Sequence, residues 1–399
     1  MRPRLGKSGI TFNGSYLGEL MGNTTGGRQK GGEYAGLLMF NLDFDAEKLA
    51  DWTGATLRIS AIYPHGGNIA QQRVGDLGGL SNIEAYDSFR LAEVWLDQKF
   101  LSNRASIRIG LMTSDTDFYG VDTSSLFINS DFGAPAAETI NFPMPSYPFT
   151  APGIRLRYEP DEKSYIQFAA YDGNPAPGVL TDPTPGAATS NDYNKHNTRI
   201  ALRSDEGAMF FAEIGWHTPK PASCEKKAPL ATCLKLGGAY HTDRFADIGD
   251  ITLGVPHPRS HRGDSSIYIS AEQDVWREPG STNDGLAAFL RFAHAPADRN
   301  LIRNSAEAGL TYRGIFQSEA RDTLALGVAW LDISPRVAAA QRTLGSHAQD
   351  YETAVELTYQ RALTPWCSIQ PDLQYIIHPG GSSELGNALV IGLRTTITF

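Results

Sequence analysis

The sequence predicts an all-β fold: a transmembrane antiparallel β-barrel of sixteen strands, with long loops partly folded into the lumen. Three observations predict it: connections of two very different lengths, aromatic residues near the ends of strand candidates, and a last strand that ends on Phe399. Transmembrane barrels combine short periplasmic turns with long outer loops, and aromatic side chains form girdles at both membrane interfaces. We assign residues 1–399 to one barrel domain, in which residues 1–8 form an N-terminal periplasmic segment.

The strand candidates are stretches of about ten residues in which apolar and polar side chains alternate, separated by turn residues. In TRIALRS, for example, Ile200 and Leu202 alternate with Arg199, Ala201 and Arg203. Seventeen candidates result, at residues 9–21, 33–46, 53–64, 88–100, 103–112, 151–159, 163–172, 195–206, 207–218, 233–243, 264–277, 285–295, 303–314, 322–333, 350–361, 366–377 and 386–399.

An odd number of strands conflicts with a barrel whose two chain ends are both periplasmic. Tracing forward makes SDEG (204–207) a periplasmic turn, and tracing back from Phe399 makes LTPW (363–366) another. The two traces disagree between these turns. We place the error between residues 233 and 333 and expect sixteen strands.

The connections are asymmetric. Tight turns are predicted at residues 101–104, 160–163, 204–207 and 363–366, and long loops at 65–87, 113–150, 173–194 and 334–349. A soluble β-sandwich alternates in the same way with its apolar face turned inward, so alternation alone does not decide between the two folds. The asymmetry and the closing strand favour the barrel. In that strand one face carries Ile391, Leu393, Thr395, Ile397 and Phe399.

Composition agrees with this fold. The mean hydropathy is −0.28, and no run of eighteen apolar residues exists that would indicate a transmembrane helix. The net charge of −9 argues against a nucleic-acid partner, which would favour a basic face. The first residues, MRPRLGKSGITF, lack the apolar core of a signal peptide. Either the protein is cytoplasmic or a signal peptide has been removed ahead of residue 1.

Five segments together resemble the carbohydrate-selective porins of the OprB family. They are RLAEVWLDQKF (90–100), SLFINSDFG (125–133), YPFTAPGIRLRYEP (147–160), APADRNLI (295–302) and PWCSIQPDLQYIIHPGG (365–381). The resemblance runs from about residue 8 to the C-terminus. It implies a sixteen-stranded barrel in the bacterial outer membrane, in contact with outer-membrane lipid, that lets glucose and other sugars diffuse passively and selectively. Cys367 departs from the family, which usually has a hydrophobic or aromatic residue there.

Two alternatives stay open at this point. One is another channel class, either a nonspecific or cation-leaning diffusion porin or a polysaccharide-export barrel. The other is a soluble all-β carbohydrate-binding protein. A homotrimer is a further possibility because porins often form trimers, but the sequence shows no interface.

Pore width and lining charges determine the selectivity of a barrel of this size. Residues 113–150 are the candidate constriction loop, because they are long, rich in Phe and Tyr, and have acidic but no basic side chains. Residues 65–87 are the second candidate. Within 90–98, alternation turns Glu93, Trp95 and Asp97 toward the lumen.

These three residues predict a sugar track, since carboxylates accept hydrogen bonds from hydroxyls and an indole offers an apolar platform. The alternative is a girdle tryptophan flanked by structural acids. By the same alternation an arginine row lines the lumen opposite the track, made of Arg58, Arg108, Arg155 and Arg157. This row would donate to hydroxyls, or it would be a ladder of ion pairs that stiffens the wall. Arg291 and Arg313 are weaker candidates.

We expect no catalytic residues, no metal site and no cofactor. The sequence contains no HExxH, HxH or GxSxG pattern and no Cys/His spacing suited to zinc. Asp115 and Asp117 resemble loop ligands for Ca²⁺, but solvated loop acids are the favoured interpretation. Cys224 and Cys233 lie in a polar segment where a surface disulfide is one of two open outcomes.

Overall fold

The structure is a computed structural model that describes residues 7–175, 194–198, 200, 202, 205–218, 230–281, 283–316 and 321–399. Sixteen antiparallel strands of this part of the chain close into one barrel, in which neighbours in sequence pair with each other. They are β1 (Ile10–Thr25), β2 (Gly31–Asp45), β3 (Ala55–Gly66), β4 (Arg90–Phe100), β5 (Ala105–Met112), β6 (Ala151–Tyr158), β7 (Ser164–Asp172), β8 (Ala208–His217), β9 (Thr232–Ala246), β10 (Ser260–Arg277), β11 (Gly285–His294), β12 (Ile302–Arg313), β13 (Asp322–Ile333), β14 (Tyr351–Thr364), β15 (Cys367–Ile377) and β16 (Ala388–Thr398).

Short helical segments lie in the connections, at Ala46–Ala50, Ala70–Val74, Asp122–Leu126, Ser130–Phe132, Ala136–Thr139, Ile248–Thr252, Pro335–Thr343 and Pro379–Gly381. In the described residues, no helix has both the length and the apolar character needed to cross a bilayer.

The wall follows the alternation of the sequence. In β8, Phe210, Ile214 and Trp216 are exposed on the outer face, whereas Phe211 and Glu213 are buried inside. Outward apolar side chains meet lipid, and inward polar side chains meet each other or the loops inside the barrel. The predicted all-β transmembrane barrel is confirmed.

The barrel closes between its first and last strands. The backbone N–H of Phe399 donates to the carbonyl of Gly14 at 2.9 Å, and the N–H of Gly14 donates back at 3.2 Å. The Phe399 ring lies 6.3 Å from that of Phe40. A Cβ on Gly14 would lie 2.7 Å from the Phe399 ring, so only glycine fits beneath it. Both chain ends therefore lie at the same end of the barrel, which is the periplasmic end in barrels of this type.

The expected count of sixteen is correct, but the location of the surplus candidate was wrong. The surplus strand is 195–206 and not a segment between residues 233 and 333. β7 pairs with β8 along its whole length, which leaves no place for a strand between them. Ile200 and Leu202 are exposed and lie outside any strand. Alternation in TRIALRS misled the prediction because alternation shows that a segment could pair as a strand but not that a neighbouring strand edge is free for it.

This correction moves the described part of SDEG, residues 205–207, from the periplasmic end to the opposite end, because β7 ends at Asp172 and its partner β8 begins at Ala208. The other three predicted tight turns, at 101–104, 160–163 and 363–366, lie at the periplasmic end. The connections there span residues 101–104, 159–163 and 365–366, so β14 runs two residues into the third predicted turn. Cys224 lies outside the described residues, so its pairing with Cys233 stays a prediction. Cys233 and Cys367 are free thiols in the described part of the chain.

Candidate pore constriction

The loop at 113–150, between β5 and β6, lies inside the barrel, where carboxylates on β8 and β14 bind its backbone. Glu213 on β8 accepts the backbone N–H of Tyr119 at 2.9 Å. Glu356 on β14 accepts the N–H groups of Ile128 and Asn129 at 2.7 and 2.9 Å. A carboxylate that accepts backbone N–H groups makes charge-assisted hydrogen bonds, which are stronger than neutral ones.

Arg291 on β11 is a further anchor of this loop. Its Nε donates to Glu307 at 2.9 Å, and neither side chain is exposed at all. The same guanidinium donates to the carbonyls of Asp131 at 2.8 Å, Tyr119 at 3.3 Å and Gly133 at 3.4 Å. The loop is thus held at both its N–H and its C=O groups.

The loop at 67–89, between β3 and β4, is the second segment inside the barrel. Glu352 on β14 accepts the N–H groups of Leu77 and Gly78 at 2.9 and 3.1 Å. Arg394 on β16 donates to the side chain of Asn82 at 2.6 Å. The two loops also contact each other, because the Tyr147 hydroxyl donates to the carbonyl of Ile83 at 2.7 Å. These anchors lie on β8–β16, so the wall formed by β2–β6 faces the loops from the other side.

That wall contains the predicted arginine row, and each arginine has an acidic partner. Arg58 binds Asp43 on β2 through two hydrogen bonds of 2.6 and 3.0 Å. Arg108 contacts Asp97 at 3.0 Å and the loop residue Asp117 at 3.0 Å. Arg155 also reaches Asp97, at 2.6 Å. The row is therefore a ladder of ion pairs that includes a carboxylate of the loop.

The arginines differ in how much solvent they meet. The side chain of Arg58 is 35% exposed and that of Arg157 is 29% exposed, whereas Arg155 is only 3% exposed. Arg157 binds Glu159 at 2.8 Å and lies 3.9 Å above the Tyr165 ring. The exposed guanidinium groups are the ones that a passing solute would meet.

The predicted sugar track lies in the middle of this wall. Trp95 is 6% exposed, and the guanidinium groups of Arg108 and Arg58 lie 4.2 and 5.1 Å from its ring centre. Its face is therefore covered by cations rather than open as a platform. The Nε1 of Trp95 and the Oε1 of Glu93 are both buried without a hydrogen bond of normal geometry, and the indole N–H lies near the Glu93 carboxylate. Asp97 is buried and paired, as described above.

Two loop acids differ from the expectation that they are solvated. Asp115 accepts the backbone N–H of Tyr147 at 2.9 Å, and Asp117 pairs with the arginine row. Burial raises the pKa of Asp115.

In the described residues, no group of three or more His, Cys, Asp and Glu side chains is arranged to hold a metal ion. Of the weaker candidates, Arg313 lies 3.9 Å from Asp274 near the periplasmic end.

One lumenal residue was missed because a bulge interrupts β4. Val94 lies opposite Ile59, but Leu91 lies opposite Ala61, so β4 has one extra residue between these pairs. The extra residue reverses the alternation and turns Arg90 inward. Strict alternation would have placed Arg90 on the lipid face, and nothing in the sequence marks the bulge.

This geometry, a sixteen-stranded barrel narrowed by two loops beside a charged wall, agrees with the comparisons to known proteins. A family model described as carbohydrate-selective porin, OprB family, matches residues 29–399. The chain belongs to the OprB family of carbohydrate-selective porins. It is therefore a porin of the bacterial outer membrane that admits sugars by diffusion. The fold and the family are those of a channel.

Individual relatives agree with the family assignment. The chain is 25% identical to Porin B of Pseudomonas aeruginosa over 429 residues, which cover 100% of this chain and 89% of that protein. Its fold is similar to the high-pH structure of Pseudomonas putida OprB, with a TM-score of 0.85 at 24% identity, covering 100% and 96% of the two chains. The outer-membrane channel DcaP of Acinetobacter baumannii is a more distant match in fold, with a TM-score of 0.54 at 10% identity over 98% and 97% of the chains.

Proposed function

We propose that the wall of β3–β6 and the loop at 113–150 form the sugar-binding constriction of this porin. The observation that carries the proposal is the buried pair on β4, Glu93 Oε1 and Trp95 Nε1, in which the indole N–H lies near the Glu93 carboxylate without completing a hydrogen bond of normal geometry. Most buried polar atoms in proteins have a hydrogen-bond partner, because burying one without a partner costs free energy. A sugar hydroxyl both donates and accepts, so it would satisfy a carboxylate oxygen and an indole N–H alike.

The residues of this constriction divide into two roles. Arg58, Arg108 and Arg157 keep exposed surface, and with Glu93 they are the groups proposed to bind sugar hydroxyls. Asp97 and Arg155 are buried and are proposed to hold the arginines in place, and the buried Trp95 is proposed to offer only its Nε1–H to the sugar. We propose no catalytic role for any of these side chains.

The test is glucose block of single-channel current in planar bilayers, measured for wild type and Glu93→Gln. The substitution removes the charged acceptor and keeps the shape, so the half-blocking glucose concentration should rise about tenfold, as expected for one charge-assisted hydrogen bond. Glu278→Gln is the matched control, since it removes the same charge from the periplasmic end of the barrel, outside the proposed sugar-binding wall, and should change the value less than twofold. An unchanged value in Glu93→Gln would exclude Glu93 as a sugar ligand.

A nonspecific, cation-leaning porin is the second candidate, favoured by the net charge of −9 and the many lumenal carboxylates. The same titration separates the two, because glucose at any concentration should leave the current of a nonspecific pore unchanged.

The oligomeric state is also a proposal, namely a homotrimer. It is supported by a polar cluster on the outer face of β1–β3, where the Tyr16 hydroxyl contacts the Tyr34 hydroxyl and lies 3.2 Å from His65 Nε2. Polar groups on an apolar wall favour contact with protein over lipid. Cross-linking in mild detergent should give a species of three 43.4 kDa chains, and a single uncross-linked chain at every reagent concentration would contradict it.

A further inference from the structure

Arg90 is a buried cation on the lumenal face of β4. The bulge described above places it opposite Ile62, on the side toward the outer loops from Glu93. Arg90 is 1% exposed and is among the largest fully buried side chains of the described residues. It belongs to none of the ion pairs that form the arginine row.

Two aromatic rings from the two inserted loops form its surroundings. Tyr86 comes from the loop at 67–89 and Phe149 from the loop at 113–150, and their ring centres lie 5.4 and 5.3 Å from the guanidinium carbon. Nη1 of Arg90 donates to the Tyr86 hydroxyl. A third connection covers this corner, because Leu91 N–H donates to the carbonyl of His196 at 3.0 Å. Arg90 thus lies where three outer connections meet the barrel wall.

The guanidinium lacks an anionic partner. Within the described residues, no carboxylate lies within 4.0 Å of Arg90, and its Nε is buried without an acceptor. By contrast, lumenal arginines around the barrel are paired, among them Arg58 with Asp43, Arg108 and Arg155 with Asp97, Arg157 with Glu159, Arg291 with Glu307 and Arg394 with Glu19. Attraction to aromatic rings offsets part of the desolvation of a buried cation. It leaves the Nε–H of Arg90 without an acceptor.

We propose that Arg90 binds the carboxylate of a sugar acid at a subsite on the outer side of the constriction. A guanidinium presents two parallel N–H donors, which match the two oxygens of a carboxylate. A monoanion is favoured over a phosphate dianion because Glu93 lies three residues away on the same strand and repels negative charge. The two aromatic rings suit the apolar edge of a sugar ring. The inference extends the proposed constriction to a second solute class and rests on it for the route of the solute.

The experiment measures half-blocking concentrations of D-glucuronate and D-glucose, which share a ring and differ in the carboxylate. Wild type should bind glucuronate more tightly than glucose. In Arg90→Gln the value for glucuronate should rise about tenfold, and the value for glucose should change less than twofold. Arg313→Gln is the control, because it removes the same unit of charge from the lumen near the periplasmic end, outside the proposed sugar-binding wall, and should affect glucuronate block less than threefold.

Three results would overturn the subsite: no preference for glucuronate in wild type, equal changes for both solutes in Arg90→Gln, or an equal glucuronate effect in Arg313→Gln. If Arg90→Gln fails to assemble, Arg90→Lys is the second variant. It keeps the charge but loses the bidentate geometry, so it should weaken glucuronate binding and leave glucose binding unchanged. The two proposals fail separately. If Glu93→Gln leaves the glucose block unchanged, the sugar track is rejected. A selective loss of glucuronate block in Arg90→Gln would still support the subsite.

Discussion

Replacing Glu213 and Glu356 together by alanine should raise the single-channel conductance several-fold. The double substitution removes the acceptors for three backbone N–H groups of the loop at 113–150, those of Tyr119, Ile128 and Asn129. Each is a charge-assisted hydrogen bond worth roughly 1.5–3 kcal/mol. Losing all three should let the loop leave the lumen, so that the barrel conducts through a wider opening and glucose block weakens. Planar-bilayer recordings of wild type and the double variant measure the conductance and the glucose block.

The control for this prediction removes two carboxylates that do not touch the loop. Glu159→Ala with Glu278→Ala takes the same charge from the periplasmic end, where Glu278 accepts from the Tyr312 hydroxyl at 2.8 Å. Conductance should stay within about twofold of wild type in that variant, because screening at the ionic strength of such recordings is strong. A wild-type conductance in the Glu213 and Glu356 variant would show that other contacts alone hold the loop.

Replacing Arg291 by methionine should destabilise the barrel by about 3–5 kcal/mol, the cost of removing one partner of a buried ion pair. Glu307 would be left buried and unpaired, and three loop carbonyls would lose their donor. The loss of unfolding free energy is measured by urea unfolding of the protein in lipid vesicles. The folded band should also convert to the unfolded band at a lower temperature on gels.

A second substitution tests the reason for this loss. Arg291→Met with Glu307→Leu replaces the whole pair by apolar side chains of similar size, and such replacements are often neutral. The double variant should recover most of the stability lost by Arg291→Met, although the loop carbonyls stay without a donor. If the double variant is no more stable than the single one, the loop contacts and not the buried charge determine the effect.

The barrel itself follows from local properties of the sequence. Alternation determines which face of each strand is apolar, and it is correct for Ile154 and Leu156 outside against Arg155 and Arg157 inside. It fails at 195–206 because strand formation depends on an available neighbour, and β8 already occupies the edge of β7. A single sequence contains no record of which edge is occupied.

The sequence predicts only part of the candidate site, because it does not record which strands and loops become neighbours. The arginine row and Glu93, Trp95 and Asp97 all face the lumen. The bulge of β4 lies between Leu91 and Val94, so the alternation from Val94 to Asp97 is unbroken. Their partners depend on register and on loop placement, which alternation does not determine. Asp43 pairs with Arg58 only because β2 and β3 align those two residues. Trp95 is covered rather than open because Arg58 and Arg108 come to it from the strands on either side.

Closure between β1 and β16 also determines the order in which this protein can fold. Glu19 and Arg394 pair across 375 residues of sequence, so their contact forms only when nearly the whole chain is in place. The acceptor for Ile128 lies 228 residues after it, on β14. Contacts of such long range form late, because the intervening chain must be ordered first. The loop that narrows the pore must therefore dock after β14 has joined the wall, and until then the barrel has an open edge and an undocked loop.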